Sequence, residues 1–201
     1  MKRVFIISIT LTLLGLACGD EPVDTPNEIH GLIPTSPRAV LINVETAFNR
    51  CDINLLKAML SEDFVFYFDP DDVGQNPPGV PNYTIPESWT YKEFITCVGK
   101  LFRKAYSVNL TITTGNVGEP APEATTYKAE NISIKLLVMV DEVNGFIADT
   151  GYCDFEFERY DGEEGRKFWR LTKWWDWTAC SYDGYPGTEP TSVGRVLAMY
   201  K

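Results

Sequence analysis

The spacing of apolar residues predicts two consecutive helices near the start of the folded part of the chain. Ser36 is a good N-cap and Pro37 suits a first helical turn, and the apolar residues within 40–48 recur at helical spacing. Asp52 is expected to cap a second, shorter helix with apolar residues over 53–60. Both helices therefore have an apolar face that must pack against another layer.

A strand and a third helix follow this pair. Residues 64–68 are rich in aromatic side chains and predict a strand, and residues 69–86 contain enough proline and glycine to predict a long loop. Thr90 is expected to cap a third helix whose apolar face lies within 91–102. The chain thus changes from helical to extended patterning only after this helix.

The rest of the chain is expected to be almost entirely strand. Alternating or continuous apolar patterns predict strands over 108–117, 125–140, 146–160 and 167–177. The glycines and acidic residues at 161–165 predict the turn of a hairpin that joins the last two strands.

The N-terminal residues predict a secretory signal. Lys2 and Arg3 precede a mostly apolar stretch over 4–16, which is too short to span a bilayer as a mature helix. Cys18 follows a small residue and resembles the lipobox of bacterial lipoproteins, although Gly15 stands where that motif usually has Leu. This resemblance implies cleavage before Cys18, acylation of its thiol, and anchoring to a membrane of the cell envelope on the extracytoplasmic side.

These features divide the chain into four predicted parts. Residues 1–17 form the lipoprotein signal peptide, and the proline-rich residues 18–35 form a tether. Residues 36–180 have the length of one domain, and residues 181–201 are expected to form a tail packed on it.

Charge and cysteine content exclude some function classes. The formal net charge of -10 repels nucleic acid and anionic lipid head groups, so neither is expected as a partner. Apart from Cys18, the cysteines are Cys51, Cys97, Cys153 and Cys180, which could form two disulfides with three possible pairings. No Cys-x-x-Cys motif occurs and the only His lies in the tether, so neither a metal site nor a cofactor is expected.

Three local patterns resemble the nuclear transport factor 2-like superfamily, which includes SnoaL-like and ketosteroid isomerase-like domains. They are A-x-N-x-x-D-x-x-x-L at 47–56, L-x-x-D-F at 60–64, and W-x-I-x-x-W-x-D at 169–176, where Leu replaces the Ile. The resemblance covers roughly 36–178 and implies an α+β fold. In that fold a strongly curved, mostly antiparallel sheet wraps around about three helices and leaves a cone-shaped pocket.

Asp69 and Tyr67 are the candidate catalytic residues. Asp69 ends the first strand before a proline, where the resemblance to ketosteroid isomerase places a general base, and apolar surroundings would raise its pKa. Alternation puts Tyr67 and Asp69 on the face opposite the strand's phenylalanines, and a solvated turn cap explains Asp69 as well. Asp154 resembles the second acidic residue of the ketosteroid isomerase site. Strand alternation, however, places its side chain on the face opposite the phenylalanines that follow it.

Trp169, Trp174 and Asp176 are the candidate ligand-binding residues. Tryptophans can line a pocket for a flat apolar ligand or fill a core, and adjacent Trp174 and Trp175 must face opposite sides of a regular strand. Asp176 could instead accept a hydrogen bond from an aromatic N–H or from the backbone of the tail. We expect a lipid-anchored binding or assembly domain that uses the aromatic pocket or the outer sheet face. Its partner would be a small apolar ligand, another protein or a second copy. The alternative is an isomerase or dehydratase with Asp69 as general base.

Overall fold

The computed structural model describes residues 31–162, 165–179 and 187–201. The predicted signal, Cys18 and most of the tether lie outside these residues, as does the beginning of the tail. The helices are α1 (Pro37–Asn49), α2 (Ile53–Met59), α3 (Tyr91–Lys104) and α4 (Val193–Ala198). The strands are β1 (Leu60–Tyr67), β2 (Ser88–Thr90), β3 (Ser107–Ile112), β4 (Thr126–Ile132), β5 (Ile134–Met139), β6 (Gly145–Ala148), β7 (Thr150–Asp161), β8 (Lys167–Ala179) and β9 (Thr188–Pro190).

The three predicted helices and their N-caps are confirmed. The Ser36 hydroxyl accepts a hydrogen bond from the Ala39 N–H at 3.2 Å. The Asp52 carboxylate accepts the N–H groups of the second and third residues of α2. At α3, Glu93 reaches back to the Thr90 N–H at 3.1 Å, which closes a capping box. Each cap satisfies backbone donors that the helix itself leaves unpaired.

In the part of the chain that the structure describes, nine strands form two sheets that are joined by short connections. One sheet has the order β2-β1-β8-β7-β4 and the other has the order β3-β5-β6-β9. Single residues, Ser133 and Asp149, separate β4 from β5 and β6 from β7, so the chain passes directly from one sheet into the other. Most neighbouring strands are antiparallel, but β1 pairs with β8 and β6 pairs with β9 in parallel. This α+β architecture is the fold class predicted from the sequence.

Three predicted strands differ from those in the structure. The strand predicted over 108–117 ends at Ile112, and a short 3₁₀ turn, Thr114–Asn116, follows it. The strands predicted over 125–140 and 146–160 are each broken into two. Asn131 and Gly151 lie next to these breaks with φ of 57° and 97°, a conformation that interrupts regular strand geometry. Apolar alternation continues through both bends, so the periodicity alone does not reveal them.

Aromatic side chains fill the space between the bent sheet and the helices. The phenylalanines of the first strand region, Phe64, Phe66 and Phe68, are at most 4% exposed, as the alternation predicted. Trp174 is fully buried, and its ring lies 5.6 Å from that of Phe66 and 5.2 Å from that of Phe155. Such tilted and edge-on pairs add favourable quadrupole contacts to the area that the rings bury.

The cysteines do not form the two disulfides that the sequence allowed. Cys97 and Cys153 are free and buried thiols. Cys51 is disulfide-bonded. Both free thiols lie in the apolar core, where cysteine behaves as a small hydrophobic residue.

Candidate functional site

A buried carboxylate, Asp176, lies on the inner face of β8. Strand β8 contains an irregularity between the pairs Phe157↔Leu171 and Glu156↔Lys173, so that Thr172 is an extra residue. The inward positions therefore shift, and after the bulge they are Trp174, Asp176 and the threonine at position 178. Adjacent Trp174 and Trp175 do point to opposite faces, as predicted.

Asp176 holds the last helix against the sheet. One carboxylate oxygen accepts the Gly194 N–H at 2.6 Å, and the other accepts the N–H and the hydroxyl of Thr178. The Thr178 hydroxyl in turn accepts the Val193 N–H at 2.8 Å. A Cβ atom at position 194 would lie 2.7 Å from the Phe68 ring and 3.0 Å from Asp176, so only glycine allows this close approach.

Burial makes this carboxyl group unusual. Asp176 is 0% exposed, and desolvation raises its pKa from 3.8 to about 7, against the hydrogen bonds from Thr178 and Gly194 that favour the ionised form. The Cys153 sulfur lies 3.9 Å from the same carboxylate. Burial, together with this nearby acid, raises the pKa of Cys153 well above 9.0. The thiol is therefore protonated and can only donate to Asp176.

A second acid supports the same helix and was missed in the sequence. Asp72 accepts a hydrogen bond from the hydroxyl of Ser192, which is the N-cap of α4, and lies 3.6 Å from the Arg195 guanidinium. Burial raises the pKa of Asp72, and the Ser192 hydroxyl opposes that rise. A serine before the apolar residues of the tail is a recognisable N-cap signal. Nothing in the sequence links it to an acid so far away in the chain.

The candidate ligand-binding residues lie in three different surroundings, although Trp174 and Asp176 are neighbours on the inner face of β8. Trp174 lies in the middle of the aromatic core and Asp176 lies under α4. Trp169, which is 4% exposed, lies near the other end of β8. There its backbone N–H donates to the backbone carbonyl of Pro34 at 2.8 Å. The structure therefore does not bring the three residues into one pocket, and their role in ligand binding stays a prediction.

The two candidate catalytic residues lie at the C-terminal end of β1. The Asp69 carboxylate accepts the Asp71 N–H at 2.8 Å, which is the geometry of a turn cap. Asp69 is partly exposed, and partial burial raises its pKa. The Tyr67 ring lies on the outer face of the sheet, stacked 5.2 Å from that of Trp175. General-base chemistry by this pair stays a prediction.

The outer face of the larger sheet carries an aromatic surface. It consists of Tyr67, Tyr152, Trp175 and Trp177, which we call the outer patch. Tyr67 pairs with Trp175 across β1 and β8 in nearly parallel stacking at 9°, and Tyr152 pairs with Trp177 across β7 and β8. All four side chains are partly or fully exposed, with Tyr152 at 40%.

Charges of both signs surround the outer patch. The ammonium groups of Lys128 and Lys173 lie 5.3 Å and 5.7 Å from the Trp175 ring centroid. Asp154 accepts the Trp177 indole N–H at 3.2 Å, and Glu156 pairs with Lys173 at 2.9 Å. Asp154 thus faces outward, as its strand alternation predicted.

Two further features of the described residues bear on function. Within residues 31–162, 165–179 and 187–201, no group of three or more His, Cys, Asp or Glu side chains is placed to hold a metal ion. In the same ranges, no helix is both long enough and apolar enough to cross a membrane.

Comparison with known proteins gives only distant structural likenesses. No protein-family model matches the chain, and no curated protein matches it. A conserved protein from Planctomyces limnophilus matches with a TM-score of 0.46 and 14% identity, covering 70% of this chain and 91% of that one. An NTF2-like protein of unknown function from Shewanella baltica gives 0.40 and 10%, covering 71% and 90%. An LEH-like epoxide hydrolase from M. tuberculosis gives 0.39 and 12%, covering 72% and 85%.

The order of the helices and strands agrees with the order expected from the sequence motifs. Two N-terminal helices, a first strand, a third helix and a meander of strands follow one another in the order that the sequence motifs implied. The resulting sheet bends around the helices and encloses an aromatic interior. A fold that hosts both enzymes and binding proteins does not determine function. The chain has the α+β class of fold that the resemblance of its sequence motifs implied.

Proposed function

We propose that this chain is a binding or assembly domain of the bacterial cell envelope, anchored through a lipid on Cys18, that pairs with a second copy through the outer patch. The observation that carries this proposal is the difference between the two faces of the larger sheet. The inner face is packed with aromatic rings and with α4, whereas the outer face leaves large aromatic side chains partly in water.

The interior is occupied by the protein's own groups. The Asp176 carboxylate receives hydrogen bonds from Thr178 and Gly194, and Val196 and Leu197 of α4 are fully buried. A substrate that reached Asp176 through this side would have to displace α4. This arrangement favours a structural role for the interior.

The outer patch has the composition of a protein interface. Tyrosine and tryptophan are enriched at interface centres, and charged residues belong to the rim. Here Trp175 lies between its stacking partner Tyr67 and the flanking ammonium groups of Lys128 and Lys173. Acidic groups stand on the same face, so the surface carries both signs that an isologous contact between two copies requires.

A charge placed at the centre of the patch tests the assembly. Trp175→Glu should convert a dimer into a monomer in light scattering, because it removes the large aromatic ring from the centre of the contact and adds a charged group that association would desolvate. Tyr106→Glu is the matched control, because Tyr106 is 42% exposed and lies near the smaller sheet. It should remain dimeric. A wild-type chain that is monomeric at all concentrations, or a dimeric Trp175→Glu variant, would overturn the proposal.

The anchor is tested separately. Cys18→Ser removes the thiol that would be acylated, so this variant should move from the membrane fraction to the released fraction in the bacterium that makes the protein. A variant that still sediments entirely with membranes would contradict lipid anchoring. The result is independent of the dimer, since the outer patch lies in the folded domain.

A further inference from the structure

A second concave surface lies at the end of β8 that is distant from Asp176. It is a groove of about 590 Å³ between the segment that precedes α1, the end of α2 and the β7–β8 hairpin. Small-molecule sites commonly have volumes of about 300–1,000 Å³. The groove is formed by described residues and includes Trp169, one of the tryptophans predicted to bind a ligand.

One side of the groove is apolar. Met59 and Trp169 form part of its lining and are 2% and 4% exposed. Leu32 and Ile33 also line it, but they are 53% and 60% exposed. Hydrogen bonds hold this segment, because the Asn43 side chain accepts the Leu32 N–H at 2.8 Å and donates to its carbonyl at 2.6 Å. The exposed apolar side chains thus stand on fixed backbone at the edge of a concave surface.

The other side is cationic. Arg170 lines the groove, and its guanidinium lies 4.9 Å from the Tyr160 ring centroid. The Tyr160 hydroxyl donates to Ser61 at 2.8 Å, so the ring that supports the guanidinium is itself fixed. Arg170 has no ion-pair partner among the described residues. Arg166 adds a second guanidinium to the lining.

One acidic side chain stands among the described residues that line the groove. Asp161 also lines the groove, but its carboxylate is 83% exposed and lies 3.9 Å from the Lys167 ammonium. The chain as a whole has a formal charge of -10, so two arginines beside an apolar surface are unusual in it. A guanidinium presents a planar set of donors that matches carboxylate and phosphate groups.

We propose that this groove binds an amphipathic anion with a single acyl chain. The acyl chain would lie on the exposed side chains of Leu32 and Ile33, displacing water from them. The carboxylate or phosphate of the ligand would pair with Arg170. A free fatty acid and a membrane lipid share this chemistry, and the experiment distinguishes the two sources.

The probe is laurate, kept below its micelle concentration and titrated into the purified Cys18→Ser chain, which carries no acyl group of its own. Binding is followed by calorimetry and tryptophan fluorescence. Arg170→Gln should weaken laurate binding at least tenfold, because it removes the charge that selects the head group. Ile33→Asp should do the same, because it places a carboxylate where the acyl chain lies. Arg103→Gln, an exposed arginine on α3, is the matched control and should bind as wild type.

Two further comparisons test whether the groove selects the charge of the ligand's head group and whether the ligand comes from a membrane. Dodecyltrimethylammonium has a similar chain with the opposite charge, and it should bind at least tenfold more weakly than laurate. Phosphatidylglycerol vesicles that bind the chain through Arg170 would assign the ligand to a bilayer, whereas laurate binding without vesicle binding would assign it to a free acid. The proposal is overturned if the cationic detergent binds as tightly as laurate. It is also overturned if neither laurate nor the vesicles bind in a way that depends on Arg170. Thermal denaturation verifies that the variants, which change exposed side chains, remain folded.

Discussion

Replacing the buried acid under α4 by its amide should change how stability depends on pH. In Asp176→Asn the side chain keeps nearly the same shape but carries no charge at any pH. The amide nitrogen cannot accept the Gly194 N–H as the carboxylate oxygen does at 2.6 Å. We therefore expect two separable effects, a lost hydrogen bond at every pH and a lost titration.

The direction of the pH effect on stability follows from the direction of the Asp176 pKa shift. The pKa of Asp176 is raised by burial from 3.8 to about 7 in the folded protein. Below about pH 4 both states are protonated, and above about pH 7 both are ionised. Between these values the unfolded chain has released the proton that the folded chain retains, so the free energy of unfolding falls as pH rises. Each unit is worth about 1.4 kcal/mol, and the whole window is therefore worth about 4 kcal/mol.

Urea denaturation monitored by tryptophan fluorescence at pH 5, 6, 7 and 8 measures this effect. The lost hydrogen bond should make Asp176→Asn less stable than wild type at pH 5, by about 1–3 kcal/mol. The titration should then shift the difference between the two proteins by about 3 kcal/mol in favour of the variant by pH 8. Asp63→Asn, which changes an exposed acid on β1, should retain the wild-type pH dependence.

The comparison with wild type removes other titrations. Asp72 also has a pKa raised by burial and acts in the same direction, but it is present in both proteins. Parallel pH profiles for wild type and Asp176→Asn would refute the reasoning, because they would mean that Asp176 binds its proton equally well in both states.

Two other substitutions test backbone contacts that the fold depends on. Asn49→Ala should lower the free energy of unfolding by about 1–3 kcal/mol, because Asn49 both donates to the Leu110 carbonyl at 2.9 Å and accepts its N–H at 2.6 Å; an unchanged urea midpoint would contradict this. Gly151→Ala should lower the melting temperature markedly, because Gly151 has φ of 97° and an added Cβ would lie 2.3 Å from the Trp177 carbonyl oxygen. A melting curve like that of the wild type would contradict this and show that the strand bend can shift.

Local signals explain why the helices could be predicted. Ser36, Asp52 and Thr90 act through contacts within a few residues, and such contacts are visible in the sequence. Alternation likewise predicted that Trp174 and Trp175 face opposite sides of the sheet, and the structure shows that Trp174 is the buried one. In each case the physical cause is short-range geometry, which does not depend on the rest of the fold.

Long-range contacts explain what could not be predicted. The breaks at Ser133 and Asp149 arise because the sheet must bend around the helices, and the apolar pattern on either side of each break is unaffected. The environment of Asp176 depends on a bulge at Thr172 and on the return of α4 from the end of the chain. The groove beside Trp169 depends on the segment before α1, which sequence analysis assigned to a tether.

The parallel pairing of β1 with β8 affects when the protein can fold. Val65 lies beside Lys173, more than a hundred residues later in the chain. At a synthesis rate of about 5–20 residues per second, β1 therefore waits roughly 5–20 s for its neighbour. Until then the larger sheet lacks a central strand, and its aromatic inner face has no complete surface to pack against. An incomplete chain thus cannot complete the larger sheet before β8 has been made, which delays the final packing of the core.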